Sequence, residues 1–144
     1  PTMKMLLVSN GNLANTMKTS LHHYFPQADV ESFCFENPAY HQTTEELSRY
    51  ILDTLSCNIN EEFLILSDVF GSTAYNETWL LLERSQISLK SALFTDMSLA
   101  TVIKFYGMKD TYSLSYFQEI SHALPLKNTA IRNVRGPIRI DEHH

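Results

Sequence analysis

The sequence FLILSDVFGST, at residues 63–73, gives the clearest indication of the fold of this chain. Its first four residues are all apolar, which predicts a strand whose two faces are both covered. Strands of that kind lie at the centre of parallel sheets, with helices packed on each face. The acidic residue Asp68 then leaves the strand, and small residues lead into a helical pattern that Thr73 can cap. The stretch therefore predicts one strand-to-helix unit of an α/β domain.

The same alternation of strand and helix patterns continues on both sides of this stretch. Apolar runs at residues 5–8 and 30–35 predict two earlier strands, and residues 87–94 predict a fourth. The second helix is predicted to begin at Thr43, which opens a capping-box pattern. Successive units of this kind predict a doubly wound, mostly parallel four-stranded sheet with helices on both faces. The whole chain, residues 1–144, is predicted to form a single domain.

The composition excludes several classes of function. A hydrophobic content of 44% with 19% charged residues is typical of a folded domain and excludes a disordered chain. The net charge of −5 argues against a nucleic-acid partner. No apolar run approaches the roughly 20 residues that a membrane span needs, so no direct membrane insertion is expected. The two cysteines lack the spacing of metal ligands and favour a reducing cytoplasm, and no cofactor is predicted.

Three loops are the candidates for a functional site. In open parallel sheets ligands bind outside the carboxyl ends of the strands, where the direction of the connections reverses. That rule selects residues 9–12, 68–73 and 95–98. In the second loop, free backbone N–H groups at a helix start can form an anion cradle together with the Ser72 and Thr73 hydroxyls.

The sequences of these loops resemble those of one family. Mannose-family enzyme IIA domains have a strand followed by Asp, two variable residues, Gly-Gly, Ser or Thr, Pro, an aromatic or aliphatic residue and Asn. This chain has DVFGSTAYN at residues 68–76. The family opens with a strand, Thr or Ser, and His-Gly, where this chain has SNGN at residues 9–12. A third family segment, Val-Asn-Leu-Pro-Met, loosely matches TDMSL at residues 95–99. The chain is thus similar to enzyme IIA of the bacterial mannose/fructose/sorbose sugar phosphotransferase systems.

The resemblance implies a role and a set of site residues. In that family the first-loop histidine takes a phosphoryl group from the carrier protein HPr and passes it to enzyme IIB, so HPr and enzyme IIB are the implied partners. Asn10 occupies the position of this histidine, and Asp68 that of the carboxylate that orients it. The phosphate-binding positions of the family correspond to three residues here: Gly71, Ser72 and Thr73.

The asparagine at position 10 changes the expected activity. The nitrogen lone pair of an amide is delocalised into its carbonyl, so Asn10 is not a phosphoryl acceptor, although its N–H group can still donate to Asp68. Ser72 also replaces a family glycine, and Ala74 replaces the proline. We therefore expect a degenerate or regulatory binding subunit. Two alternatives stay open: an active phosphocarrier in which Asn10 is an engineered replacement of histidine, and a relay that has moved to His41.

The resemblance also implies a homodimer, because family members exchange a C-terminal strand across a two-fold axis. In this chain residues 129–140 have the composition of a strand but contain Gly136 and Pro137, which restricts them to a sheet edge. We expect this edge strand to be exchanged between two copies.

Overall fold

A computed structural model describes the backbone of residues 3–126 and the side chains of residues 3–121. Within that part of the chain, four parallel strands form one sheet in the order β2-β1-β3-β4. The strands are β1 (Met3–Asn10), β2 (Val30–Phe35), β3 (Glu62–Ser67) and β4 (Ser91–Phe94). The predicted α/β fold with a four-stranded parallel sheet is confirmed.

The two central strands are buried on both faces. In β3 all four residues from Phe63 to Leu66 are fully buried, as the unbroken apolar run predicts. In β1 Met5 pairs with Leu64 and Leu7 pairs with Leu66, so the most apolar strands are neighbours in the sheet. This pairing places the strand ends that carry the candidate loops side by side.

Five helices cover the sheet within the described residues: α1 (Leu13–Tyr24), α2 (Tyr40–Cys57), α3 (Thr73–Arg84), α4 (Leu99–Met108) and α5 (Leu114–Leu126). Helices α1, α4 and α5 pack on one face, and α2 and α3 pack on the other. Helices on both faces were predicted, and this is confirmed. Across residues 3–126, no helix is both long and apolar enough to cross a membrane.

Two helix starts differ from the sequence prediction. Helix α2 begins at Tyr40 rather than Thr43, and the Thr43 hydroxyl donates to the Cys34 carbonyl at 2.9 Å instead of capping a helix. Helix α3 is capped by Ser72 rather than by Thr73. In each case the sequence offers a suitable hydroxyl, but the tertiary position of its partner decides which role it takes.

The predicted strand at residues 87–94 is only half a strand. Ile87–Lys90 form a 3₁₀ helix, and the four residues of β4 alone pair with β3. Ile87 is buried in this conformation too, so its apolar character did not distinguish the two structures. The predicted edge strand at residues 129–140 and its exchange lie outside the described residues.

An aromatic cluster joins α4 and α5 to the sheet and provides a test of this packing. The Phe117 ring lies edge-to-face with those of Phe94 and Phe105, at centroid distances of 6.4 and 5.6 Å. Phe117 is fully buried, whereas its neighbour Tyr116 is 38% exposed.

We expect Phe117→Ala to lower the free energy of unfolding by about 3–5 kcal/mol, because it leaves a cavity beneath α5. Tyr116→Ala removes an aromatic ring from the same helix and should cost about 1 kcal/mol or less. Urea denaturation followed by circular dichroism measures both values. Equal losses in the two variants would contradict the assignment of α5 to the core.

Candidate functional site

The site lies at the carboxyl edge of the sheet, between β1 and β3. The chain passes from β1 to β2 on one side and then returns to β3 on the other, so the direction of the connections reverses at this point. Asn10 is the last residue of β1, Asp68 directly follows β3, and helix α3 begins at Thr73. The structure therefore brings together the loops that the sequence selected at residues 9–12 and 68–73.

The carboxylate of Asp68 connects these loops. Its Oδ2 atom accepts a hydrogen bond from the backbone N–H of Asn10 at 2.9 Å. Its Oδ1 atom accepts one from the hydroxyl of Ser72 at 2.7 Å. The sequence predicted that the side-chain amide of Asn10 would donate to Asp68; the donor is instead its backbone N–H. Both oxygens of Asp68 thus have partners within the protein.

The side chain of Asn10 turns to the start of helix α3. Its Oδ1 atom accepts a hydrogen bond from the backbone N–H of Ala74 at 2.9 Å. Because a backbone N–H can only donate, the atom that faces it must be the carbonyl oxygen rather than the amide nitrogen. Position 74 is where the enzyme IIA pattern has proline, which has no N–H group. The bond therefore requires an acceptor side chain at position 10 and a residue other than proline at position 74.

Ser72 links the start of helix α3 to Asp68. Its Oγ atom accepts from the backbone N–H of Tyr75 at 3.1 Å while its hydroxyl donates to Asp68. Serine fits this position without strain, because its φ of −67° and ψ of 163° are ordinary extended values. The sequence prediction placed the helix cap at Thr73. Serine and threonine can both cap a helix, and the order of Ser72 and Thr73 in the sequence does not show which of them does so.

Internal bonds engage Ser72 of the predicted anion cradle at Gly71, Ser72 and Thr73, and also the next N–H group along the helix. The backbone N–H of Ser72 donates to the Val69 carbonyl at 3.2 Å, and that of Ala74 donates to Asn10. The negative charge of Asp68 lies next to the remaining donors at the helix start. An anion at this position therefore competes with internal hydrogen bonds and meets a carboxylate.

The first loop has a fixed backbone. Ser9 is fully buried, and its hydroxyl oxygen accepts from the backbone N–H of Ala14 at 2.8 Å while the hydroxyl donates to the Gly11 carbonyl at 3.1 Å. Gly11 has a φ of +66°, a left-handed conformation that favours glycine, and its N–H donates to the Phe35 carbonyl at 3.0 Å. This turn sets the direction in which Asn10 leaves β1.

The third loop, at residues 95–98, is joined to the end of β3. The backbone N–H of Met97 donates to the Ser67 carbonyl at 3.0 Å. Ser98 caps helix α4 by accepting from the backbone N–H of Thr101 at 3.2 Å. The third loop therefore borders the site from the β4 side.

An open pocket of about 340 Å³ adjoins Asn10 on the β2 side. Its lining comes from the ends of β1 and β2 and the starts of α2 and α3: Asn10, Gly11, Phe35, Glu36, Asn37, Tyr40 and Thr73. His41 is exposed, its ring packs on that of Tyr40 at a centroid distance of 3.9 Å, and it does not line the pocket. Its position gives no support to a relay through His41.

Comparison with known proteins identifies one family. The sequence pattern of the family described as EIIA-man, the fructose IIA component of the phosphotransferase system, matches residues 4–121 of this chain. That match spans all four strands and most of α5. Among curated proteins the chain has no match.

Several solved structures have a similar fold at low sequence identity. The mannose/sorbose-specific IIA subunit from Enterococcus faecalis has a TM-score of 0.65 and 15% identity, over 90% of this chain and 94% of that one. The phosphotransferase system component EIIA from Streptococcus agalactiae has a TM-score of 0.62 and 18% identity, over 83% and 92%. A sigma-54 interaction domain protein from Enterococcus faecalis has a TM-score of 0.63 and 14% identity, over 94% and 97%.

The bond between Asn10 and Ala74 can be measured by a double-mutant cycle. We expect Asn10→Ala to lower the free energy of unfolding by about 1 kcal/mol in the native background, since it leaves the Ala74 N–H without its partner. In the Ala74→Pro background the same change should cost about zero, because proline has no N–H to donate. The four proteins are compared by urea denaturation.

The control is Asn12→Ala in both backgrounds, because Asn12 lies in the same loop but its side chain makes no capping bond. Its cost should be the same in the two backgrounds. An equal cost of Asn10→Ala in both would show that Asn10 and Ala74 are not coupled.

Proposed function

The chain belongs to the EIIA-man family of phosphotransferase system components, and we propose that it is an enzyme IIA that has lost the phosphoryl relay. In this proposal it serves as a binding subunit. In the family, enzyme IIA relays a phosphoryl group from HPr to enzyme IIB through a histidine. HPr and enzyme IIB are therefore the partners that the family role implies. The proposal concerns what this chain retains of that role.

The observation that carries the proposal is the bond from the Ala74 N–H to Asn10 Oδ1 at 2.9 Å. Phosphoryl transfer through a side chain needs a basic lone pair that is free to attack. The amide nitrogen of Asn10 has no such pair, and its oxygen already accepts a backbone hydrogen bond. The atom that occupies the family's relay position is thus a structural acceptor.

The surroundings of Asp68 support the same proposal. The family role of this carboxylate is to hold one ring nitrogen of the histidine so that the other can attack. In this chain one Asp68 oxygen accepts from the Asn10 backbone at 2.9 Å and the other from Ser72 at 2.7 Å. A family glycine at position 72 has no hydroxyl to form the second bond. In this chain the Asp68 oxygen that is not bonded to Asn10 therefore accepts from the Ser72 hydroxyl.

The coordination of these changes argues against an engineered replacement of a native histidine. Such a replacement would alter position 10 alone and would leave the family glycine at position 72 and the family proline at position 74. In this chain Ser72 bonds to Asp68, and Ala74 bonds to Asn10. Asn10 and Ala74 thus form a matched pair, and Ser72 adds a partner for Asp68. Several departures that each form a bond in the site are the pattern expected of a site that has adapted to a new role.

The proposed assembly is a homodimer in which the segment at residues 129–140 forms an edge strand of the partner's sheet. We expect light scattering at micromolar concentration to give twice the chain mass of 16.5 kDa. A chain that ends at residue 126 should give the mass of one copy. A monomeric full-length chain would overturn this part of the proposal.

The central prediction concerns phosphorylation by phosphoenolpyruvate, enzyme I and HPr. We expect the native chain to take up no phosphoryl group. Asn10→His should gain a low level of phosphohistidine, because Asp68 is still engaged by Ser72. Adding Ser72→Gly and Ala74→Pro should raise the rate by about tenfold or more, because the freed carboxylate oxygen can orient the imidazole. Glycine also serves as a helix cap at a cost of only a few tenths of a kcal/mol.

The matched control is the Ser72→Gly/Ala74→Pro chain that keeps Asn10, which should stay unphosphorylated. Mass spectrometry detects the added group, and its lability in acid with stability in base identifies phosphohistidine. Circular dichroism checks that each variant is folded. Phosphorylation of the native chain would overturn the proposal, and its location at His41 would show that the relay had moved.

A further inference from the structure

The pocket beside Asn10 has polar groups without a hydrogen-bond partner among the described residues. Glu36, Asn37 and Thr73 line it, and within residues 3–121 their side chains form no hydrogen bond. Because the Asn10 oxygen faces Ala74, the Asn10 amide nitrogen keeps two free donors at the pocket. Donors and acceptors from three loops thus converge on one open space.

The charges around this space disfavour ions of either sign. Glu36 in the pocket wall and Asp68 behind Asn10 repel an anion. A cation is attracted by one carboxylate in the wall, that of Glu36. It is repelled by the positive end of the helix dipole at the start of α3, at Thr73. No group of three metal-ligating side chains occurs among the described residues. The pocket therefore favours a neutral ligand that both donates and accepts hydrogen bonds.

One wall of the pocket is aromatic. Phe35 is buried at the base of this wall, whereas the Tyr40 ring is partly exposed and packs on that of His41 at a centroid distance of 3.9 Å. An exposed aromatic face of this kind can pack against the C–H groups of a saturated ring, whose hydroxyls then meet polar side chains at the rim. The volume of about 340 Å³ is at the lower end of the range for small-molecule sites.

We propose that this pocket binds a neutral, ring-shaped polyol of the size of a monosaccharide. Tyr40 contacts the C–H face of the ring, while Glu36 and Asn37 bond to its hydroxyls. The Asn10 amide nitrogen donates to a further ring oxygen. This assignment rests on the proposed function, because a phosphoryl group on residue 10 would place a charge at the pocket and occupy the donors that the ligand needs.

The test is a titration of the isotope-labelled full chain with D-mannose, D-fructose and D-glucose, followed by amide shifts. At least one sugar should give saturable shifts at residues 10–11, 35–37 and 73, with a dissociation constant on the order of millimolar. D-mannose 6-phosphate should bind at least about threefold more weakly than D-mannose, because the carboxylates of Glu36 and Asp68 repel its phosphate group. For the same reason inorganic phosphate should bind more weakly than the sugar that binds best.

Two variants test the assigned contacts. Tyr40→Ala and Glu36→Gln should each weaken binding by about threefold to tenfold. Glu36→Gln changes an exposed side chain, so it keeps the test valid even if Tyr40→Ala disturbs the start of α2. Tyr24→Ala, which removes a 60% exposed ring from α1, is the matched control and should bind sugar as the native chain does.

Several outcomes would overturn the assignment. One is the absence of saturable shifts up to about 100 mM sugar, a concentration well above a millimolar dissociation constant. Another is that glycerol gives the same shifts as the sugars. The others are that phosphate binds more tightly than the sugars and that Glu36→Gln binds sugar with unchanged affinity. The phosphorylation assay is independent of all of these. A native chain that accepts phosphate from HPr overturns the proposed function, whereas failed sugar binding overturns the pocket assignment alone.

Discussion

A hydrogen bond from the Asn10 backbone N–H to the Asp68 carboxylate joins the ends of the two central strands, with a nitrogen-to-oxygen distance of 2.9 Å. It lies where the connections of the sheet reverse. The other carboxylate oxygen accepts from Ser72, which caps helix α3. Asp68 therefore links the end of β1 to the start of α3, and the bond from Ala74 to Asn10 joins the same two elements.

The start of helix α3 makes hydrogen bonds to side chains from its own first turn and from β1. An uncapped helix start presents backbone N–H groups to an anion. Here Ser72 takes the N–H of Tyr75, and Asn10 takes that of Ala74. Two of the backbone N–H groups at this helix start therefore have partners within the protein. Under the proposed function, these bonds and the asparagine at position 10 belong to the same change of role.

The pocket on the β2 side is open, whereas the backbone N–H groups of Ala74 and Tyr75 at the start of α3 have partners within the protein. Its polar side chains come from exposed loop positions, and its aromatic wall comes from the end of β2 and the first turn of α2. The early start of α2 at Tyr40 matters for this reason, because it brings the Tyr40 ring next to Phe35 and Asn10. The departure from the sequence prediction at this helix is thus the feature that shapes the pocket.

The amino-acid sequence alone predicts the parallel sheet and the proximity of Asn10 and Asp68. The apolar run at residues 63–66 requires burial on both faces, and parallel strands end at a common edge. Three features depend on contacts that form only in the folded chain: Ser72 rather than Thr73 caps α3, the backbone of Asn10 rather than its amide donates to Asp68, and Ile87–Lys90 form a 3₁₀ helix. The physical reason is that strand patterns reflect local periodicity, whereas hydrogen-bond partners are chosen among several equivalent donors by distances that exist only after folding.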